Sequence, residues 1–145
     1  MIFQENVTLI LCVCRLEEGG RSKCHKYWPS PDSYADPAFS NVLKDLEVSL
    51  IKETKLSETL VERIFEVKDK SGKSLRVRQL HYVGWPDHGV PSGTSMKDFN
   101  LLLSEFINMI ITSQQNEKAL VHCSAGIGRT GTTICLMENI INLYA

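Results

Sequence analysis

The alternation of apolar and polar positions divides the chain into several strand-like runs followed by two helical segments. Residues 7–13 are apolar except for Thr8 and include β-branched side chains, which predicts a buried strand. Further strands are predicted over residues 23–28, 46–52, 60–67, 74–83 and 119–122. Residues 69–73 carry a turn signal between two of these runs, so they predict a β-hairpin.

One of these strands has a clear two-residue alternation. In residues 74–83, Leu75 and Val77 alternate with Arg76 and Arg78, which predicts a strand with one solvated face. Stretches rich in glycine, proline and acidic residues predict a turn at 16–21 and a loop at 29–37.

The two helical segments lie in the second half of the chain. Ser95 followed by Asp98 is typical of a helix start. Helical spacing then predicts one core-facing side, formed by Phe99, Leu102, Leu103, Phe106, Ile107 and Ile110. Residues 128–144 predict a second helix. We therefore expect an α/β fold with a central mixed twisted sheet flanked by helices.

Composition limits the functions that the chain can have. Its formal net charge of -1 offers no general basic field for nucleic acid or anionic lipid. No apolar run approaches the roughly 20 residues of a membrane helix, and the N-terminus does not resemble a signal peptide. The five cysteines are an odd number without the density of a disulfide framework, which indicates a reducing, intracellular location. Oligomeric state is not predicted.

A metal site can be imagined among some of these cysteines. Cys12 and Cys14 are two residues apart and share one strand face, and Cys24 is followed by His25. No Cys-x-x-Cys or histidine pair accompanies them, so buried thiols that pack as small hydrophobic groups are favoured. We predict no metal and no cofactor.

The segment with the most chemical information is 120–131, which predicts a strand, a short loop and a helix start. Gly126 and Gly128 allow the backbone N–H groups between Cys123 and Arg129 to turn inward as an anion nest. The helix N-terminus adds further N–H groups, and Arg129 can donate two hydrogen bonds to phosphate oxygens. The same field should lower the pKa of Cys123 and make its thiolate a nucleophile.

A second segment, 85–91, reads Trp-Pro-Asp-His-Gly-Val-Pro and shapes a loop around one carboxylate, Asp87. Such a loop can close over a substrate and deliver a proton to a leaving group. His88 is the alternative acid.

These two segments resemble the signature loop and the mobile acid loop of classical protein tyrosine phosphatases. The resemblance implies that Cys123 attacks phosphorus, Thr130 helps the thiolate to leave, and His122 orders the loop and tunes the cysteine. It also implies that Asp87 is first the general acid and then the general base. The phosphate would be bound by Ser124, Ala125, Gly126, Ile127, Gly128 and Arg129.

The segment 17–29 resembles a further part of the same family. It implies that Glu18 pairs with Arg129, that Tyr27 bonds near His122, and that Lys23 lies near the acid loop. Trp85 belongs to the supporting residues of that loop.

The resemblance covers residues 1–144, and both ends of the chain look abrupt. We therefore expect residues 1–145 to be a partial catalytic domain. The full family domain grips phosphotyrosine with residues that precede this segment and positions the hydrolytic water with a later glutamine loop.

The leading hypothesis is hydrolysis of phosphotyrosine in tyrosine-phosphorylated proteins through a cysteinyl-phosphate. One alternative is a binding module that holds phosphate without turnover. Another is a related phosphatase for inositol lipids or for phosphoserine and phosphothreonine, although the loop lacks the lysines expected for lipid headgroups. A sulfurtransferase is more distant because it would not need Asp87. The thiolate should be oxidation-sensitive, and Cys24 is the candidate for a nearby resolving thiol.

Overall fold

The computed structural model describes residues 1–29, 45–86, 89–113 and 116–144. The elements in these ranges are β1 (Val7–Cys12), β2 (Glu17–Glu18), β3 (Arg21–Ser22), β4 (Leu46–Lys55), β5 (Leu60–Asp69), β6 (Ser74–Tyr82), α1 (Gly93–Thr112), β7 (Lys118–His122) and α2 (Gly128–Tyr144). The predicted loop at 29–37 lies outside the described residues, apart from Pro29.

Five of the strands form one mixed sheet in the order β4-β5-β6-β1-β7. β1 runs parallel to both of its neighbours, β6 and β7, while β4, β5 and β6 are antiparallel. Because β1 has a strand on each side and layers on both faces, nearly all of its side chains are buried. The predicted α/β class with a central mixed sheet is confirmed.

The predicted hairpin connects β5 to β6. The carboxylate of Asp69 accepts hydrogen bonds from the backbone N–H groups of Ser71 at 2.9 Å and Lys73 at 3.0 Å. Gly72 has a φ of 85°, a left-handed conformation that glycine adopts without steric cost. The turn thus sets the register in which the two strands pair.

Each face of the sheet has its own hydrophobic core. One face packs against the two helices through Leu9, Leu11, Leu80, Tyr82, Phe99, Leu102, Leu103, Phe106 and Met137. The other face contains Val7, Ile10, Trp28, Phe65, Val67 and Val77. Neither helix in the described ranges combines the length and the apolar character that a membrane crossing requires.

Two predictions about exposure and extent are wrong. Residues 23–28 form no strand, because this segment leaves the β2–β3 hairpin and crosses the sheet face, where Trp28 packs with the second core. Ile110 is 42% exposed, because it lies near the end of α1, beyond the part of the helix that the sheet covers.

The prediction of a solvated face for residues 74–83 holds only for the first half of β6. Arg76 is exposed and Arg78 is half-buried, but Leu80 and Tyr82 on the same face are fully buried, because they belong to the core that packs against the helices. Alternation in the sequence shows which side chains share a face, but coverage of that face depends on distant residues.

The start of α1 also differs from the prediction. The helix begins at Gly93 with Ser92 as its N-cap, and the Ser92 N–H donates to the Ser95 hydroxyl at 3.2 Å. Asp98 does not close this cap. Its carboxylate instead accepts hydrogen bonds from the hydroxyls of Ser57, at 2.5 Å, and Thr59, which lie in the β4–β5 turn.

Candidate active site

The predicted phosphate-binding loop lies between β7 and α2, at one end of the sheet. Cys12 of β1 pairs with His122 of β7, and the Val13 N–H donates to the His122 carbonyl at 2.9 Å. Residues 123–127 then connect the strand to the helix that begins at Gly128. The loop therefore follows a strand whose end is fixed by pairing with the central strand.

The two loop glycines have different conformations. Gly126 has a φ of 72°, which favours glycine and lets the chain turn sharply. Gly128 is the first helical residue, and a β-carbon there would meet no other described atom within 4 Å. The positive φ therefore requires glycine at position 126. At position 128 the protein itself leaves room for a side chain, so glycine is needed there only where a bound ligand approaches the backbone closely.

Cys123 is buried, and several hydrogen-bond donors converge on its sulfur. The Thr130 hydroxyl lies 3.1 Å from the sulfur and donates to it. Burial is the largest influence on the pKa of Cys123 and raises it. The Thr130 hydroxyl and the N–H groups of Thr130, Gly126 and Ile127 lower the pKa by more in total, so the net shift is downward. This environment favours the thiolate.

The other loop residues surround the sulfur and face solvent. Exposed members of the loop are Ser124, Ala125, Gly126, Ile127 and Gly128, and the side chain of Ile127 is 77% exposed. A ligand can therefore approach the loop backbone directly.

The predicted contact between Glu18 and Arg129 is present. Arg129 donates from Nη1 to Glu18 Oε1 at 2.5 Å and from Nη2 to Oε2 at 2.8 Å, so both carboxylate oxygens hold the guanidinium plane. Hydrogen bonding to Glu18 is the main reason why the pKa of Arg129 is raised. Glu18 itself is held by the β2–β3 hairpin, which turns through Gly19 and Gly20 at positive φ.

The predicted contact between Tyr27 and His122 is also present, with 2.6 Å between the Tyr27 hydroxyl oxygen and His122 Nε2. His122 Nδ1 lies 3.2 Å from the carbonyl oxygen of Cys123. Burial lowers the pKa of His122, so its neutral form is favoured. A neutral imidazole that accepts at Nε2 and donates at Nδ1 fits both contacts.

The acid loop is described only in part. Trp85 is buried, donates from Nε1 to the Gly89 carbonyl at 3.2 Å, and packs edge-on against Phe99 with ring centroids 5.2 Å apart. Asp87 and His88 lie outside the described residues, so their predicted roles stay predictions. The expected proximity of Lys23 to this loop is untested for the same reason.

Sequence reasoning missed a group of buried polar residues behind the loop. Arg63, Gln79 and His81 are 9%, 0% and 5% exposed. Arg63 donates hydrogen bonds to both Gln79 and His81, and Gln79 donates to the Tyr27 hydroxyl. In the sequence, these residues are marked only as polar side chains within two strands, and this pattern alone does not indicate that they are buried.

One set of possible metal ligands exists in the described part of the chain. The ligand atoms of Cys12, Cys14 and His122 all lie within 4.8 Å of one another. This set includes His122 where the sequence suggested Cys24 with His25. Both ring nitrogens of His122 already have hydrogen-bond partners, however, so a metal would have to displace one of them.

Comparison with known proteins shows which family the chain is similar to in sequence and in fold. A family model described as protein-tyrosine phosphatase matches residues 1–144. The receptor-type tyrosine-protein phosphatase eta of Homo sapiens is 34% identical over 154 residues, which cover 99% of this chain and 11% of that protein. The phosphatidylinositol phosphatase PTPRQ of Rattus norvegicus is 29% identical over 143 residues, or 94% of this chain and 5% of that protein.

A solved structure concerning the PTPN18 fingerprint on distinct HER2 tyrosine phosphorylation sites has the same fold. It matches with a TM-score of 0.81 and 30% identity, over 99% of this chain and 47% of that chain. The chain thus spans less than half of that solved structure and about a tenth of the human receptor. Because a receptor-type protein is among these relatives, the intracellular location stays a prediction.

Proposed function

The chain belongs to the protein-tyrosine phosphatase family, and from this premise we propose that it hydrolyses phosphotyrosine in proteins through a cysteinyl-phosphate. The observation that carries the proposal is the convergence of donors on the Cys123 sulfur beside a guanidinium that Glu18 holds by two hydrogen bonds. A polarised thiolate and an oriented arginine are the two groups that an attack on a phosphate monoester requires.

In the first step, the Cys123 thiolate attacks phosphorus as the bond between phosphorus and the tyrosine oxygen breaks. Asp87 donates a proton to the departing phenolate, which becomes neutral tyrosine. Arg129 and the loop N–H groups bind the phosphoryl oxygens, whose charge is spread in the transition state. The product of this step is phosphate covalently bound to sulfur.

In the second step, water attacks the cysteinyl-phosphate and the sulfur–phosphorus bond breaks. Asp87, now a carboxylate, takes the proton from water, and inorganic phosphate forms. The sulfur leaves as a thiolate, and the Thr130 hydroxyl at 3.1 Å is placed to stabilise its charge. Each residue therefore returns to its starting protonation state.

The decisive assay measures steady hydrolysis of an aryl phosphate by this chain in the presence of a thiol reductant and a metal chelator. Cys123→Ser should abolish turnover, and Cys135→Ser, which changes an exposed cysteine on α2, should leave it unchanged. Asp87→Ala should slow release of a poor leaving group such as phenol more than release of nitrophenol. Undiminished hydrolysis by Cys123→Ser would exclude the proposed nucleophile.

A second candidate is a module that binds phosphate but does not turn over. It is favoured by the phosphate-binding groups themselves, because the loop N–H groups and the arginine held by Glu18 can bind a phosphoryl group without any contribution from Asp87. A burst of one leaving group per chain, followed by a stall with phosphate on Cys123, would support this candidate. Sustained turnover would exclude it.

A lipid substrate is the third candidate, because one relative is named a phosphatidylinositol phosphatase. Residues 124–128 carry no charged side chain that would match a headgroup with several phosphates. We therefore expect a phosphotyrosine peptide to be hydrolysed faster than either a phosphothreonine peptide or a soluble phosphoinositide. The reverse order would replace the proposed substrate class.

A further inference from the structure

A buried arginine lies behind the candidate site, on the second face of the sheet. Arg63 of β5 donates from Nε to Glu53 at 2.6 Å, and its guanidinium carbon lies 4.6 Å from the Trp28 ring centroid. The side chain of Arg63 is 11% exposed, whereas that of Glu53 is 52% exposed. The charge of this arginine is therefore held inside the protein, with its ion-pair partner at the rim.

A continuous chain of hydrogen bonds leads from this arginine to the signature loop. Arg63 Nη1 lies 3.0 Å from Gln79 Oε1, and Gln79 Nε2 lies 2.9 Å from the Tyr27 hydroxyl. That hydroxyl lies 2.6 Å from His122 Nε2, and His122 Nδ1 lies 3.2 Å from the Cys123 carbonyl oxygen. Four consecutive contacts thus join β5 to the main chain of the nucleophile.

The two ends of this series of hydrogen bonds set the direction of the bonds between them. A guanidinium has only donors, so the Gln79 oxygen must face Arg63 and the Gln79 NH2 group must face Tyr27. The Tyr27 oxygen accepts that bond and gives its own proton to His122 Nε2. At the other end of the series, the Cys123 carbonyl can only accept, so the neutral His122 carries its proton on Nδ1 and accepts at Nε2.

A second branch from the same arginine ends in the same way. Arg63 Nη1 lies 3.2 Å from His81 Nδ1, which must therefore accept. His81 Nε2 then donates to the Cys14 carbonyl oxygen, 2.8 Å away. Arg63 thus fixes the tautomer of His81 and, through Gln79 and Tyr27, favours the Nδ1-protonated tautomer of His122. Each histidine donates to a backbone carbonyl near the candidate site.

We propose that Arg63 and Gln79 are positioning residues that act through Tyr27 to keep the His122 proton on Nδ1, and thereby hold the signature loop in its reactive geometry. The alternative tautomer would place the Nδ1 lone pair 3.2 Å from the Cys123 carbonyl oxygen, where two acceptors repel each other. The loop would then lose a bond at the residue that carries the nucleophile. The inference rests on the proposed function for its effect on rate, but not for its effect on the tautomer.

The variant Gln79→Glu tests this inference, because it changes the direction of the hydrogen bonds between Arg63 and His122 with little change in the shape of the side chain. A carboxylate still accepts from Arg63, but it cannot donate to Tyr27. The Tyr27 proton should then turn toward residue 79, and the His122 proton should move to Nε2. Tyr27→Phe is the second variant, since it removes the donor to His122 at a side chain that is 39% exposed and is therefore simple to replace.

The primary measurement is the nitrogen-15 NMR spectrum of the imidazole rings in the full chain, assigned with His122→Gln. The wild-type protein should show a protonated Nδ1 and an unprotonated Nε2 at His122. Gln79→Glu should reverse this pattern, and Tyr27→Phe should give a mixture. The control Arg76→Gln, at an exposed residue of the same strand, should leave it unchanged. A protonated Nε2 in the wild type, or an unchanged pattern in both variants, would overturn the inference.

The second measurement is aryl phosphate hydrolysis by folded Gln79→Glu. We expect kcat to fall about tenfold with a smaller change in KM, because the effect acts through the orientation of another group. If the tautomer changes and kcat does not, the positioning role is wrong. If the wild-type chain does not turn over but its tautomer depends on Gln79, the proposed function fails while the tautomer part of the inference stands.

Discussion

The hydroxyl of Thr130, in the first turn of α2, donates a hydrogen bond to the Cys123 sulfur across 3.1 Å. The bond connects the residue after Arg129 to the residue that follows β7, so it closes the loop. It also brings a donor to a buried sulfur whose charged form is opposed by desolvation.

Thr130→Ala should raise the pKa of Cys123, because the hydroxyl is the largest of the influences that lower it. The thiolate fraction at neutral pH would fall, and the rise of Cys123 alkylation with pH would shift to higher pH. A hydrogen bond to a charged group contributes about 1.5–3 kcal/mol. We therefore expect kcat to fall by at least about tenfold, since each 1.4 kcal/mol is a factor of ten.

This prediction is checked by iodoacetamide alkylation as a function of pH, with the Cys123 peptide quantified by mass spectrometry. Thr130→Ser is the matched control, because it keeps the hydroxyl and should keep the wild-type profile. Equal profiles for the alanine and wild-type proteins would contradict the role of the hydroxyl.

Glu18→Ala should weaken both stability and phosphate binding. The side chains of Glu18 and Arg129 are 4% and 16% exposed, and removal of one partner from a buried pair typically costs about 3–5 kcal/mol. Arg129 retains some solvent contact, so we expect the lower end of that range. Glu18→Gln should cost less, because its amide oxygen still accepts one bond.

Urea unfolding and vanadate binding measure the two effects. Glu17→Gln is the control, because Glu17 is the exposed neighbour in the same short strand. If Glu18→Ala binds vanadate as tightly as the wild type, then Glu18 does not orient the guanidinium.

The sequence was sufficient to predict the signature loop because the loop is contiguous. Gly126 supplies the positive φ, and α2 begins at Gly128, where the pattern predicted it. The hairpin at 69–73 was predictable for the same reason, since its carboxylate bonds to N–H groups two and four residues away. Local features of this kind depend on neighbouring residues alone.

The buried polar chain was not predictable, because its members are distant in sequence. Gln79 is 16 residues from Arg63 and 52 residues from Tyr27. No periodicity shows that these side chains share one covered face. The pair of Glu18 and Arg129, 111 residues apart, was anticipated only from the resemblance of its segment to a known family.

The free energy of unfolding should decrease as the pH is lowered, because two buried histidines resist protonation in the folded protein. Burial is the main cause that lowers the pKa values of His81 and His122 below 6.5 in the folded protein. As pH falls below about 6.5, the unfolded chain binds protons that the folded chain does not, so the folded state loses stability. The loss continues down to the folded pKa values, with a slope of at most about 1.4 kcal/mol per pH unit for each histidine.

Urea unfolding between pH 7.5 and 5.5 tests this, because most carboxylates stay charged in that range. His81→Gln should reduce the slope, since an amide can accept from Arg63 and donate to the Cys14 carbonyl without titrating. His25→Gln, at an exposed position, should leave the slope unchanged. A slope that is equal in all three proteins would show that His81 is not responsible.

Asp98 should stabilise the fold by joining the first helix to the sheet rather than by capping that helix. Its carboxylate accepts hydroxyl hydrogen bonds from Ser57 and Thr59 in the β4–β5 turn, 41 and 39 residues earlier. Asp98→Ala leaves two partly buried hydroxyls without their acceptor, so we expect a loss of about 2 kcal/mol in the free energy of unfolding. Glu58→Ala changes the same turn at a side chain that is 90% exposed, and it should cost at most about 0.5 kcal/mol. Urea unfolding of both variants measures the difference. Equal losses in the two variants would mean that any change near the turn has this effect, so the attachment of the turn to α1 would not be its cause. The double variant Asp98→Ala/Ser95→Ala tests whether the attachment is independent of the Ser92–Ser95 cap. If it is independent, the loss in the double variant should equal the sum of the losses in the two single variants.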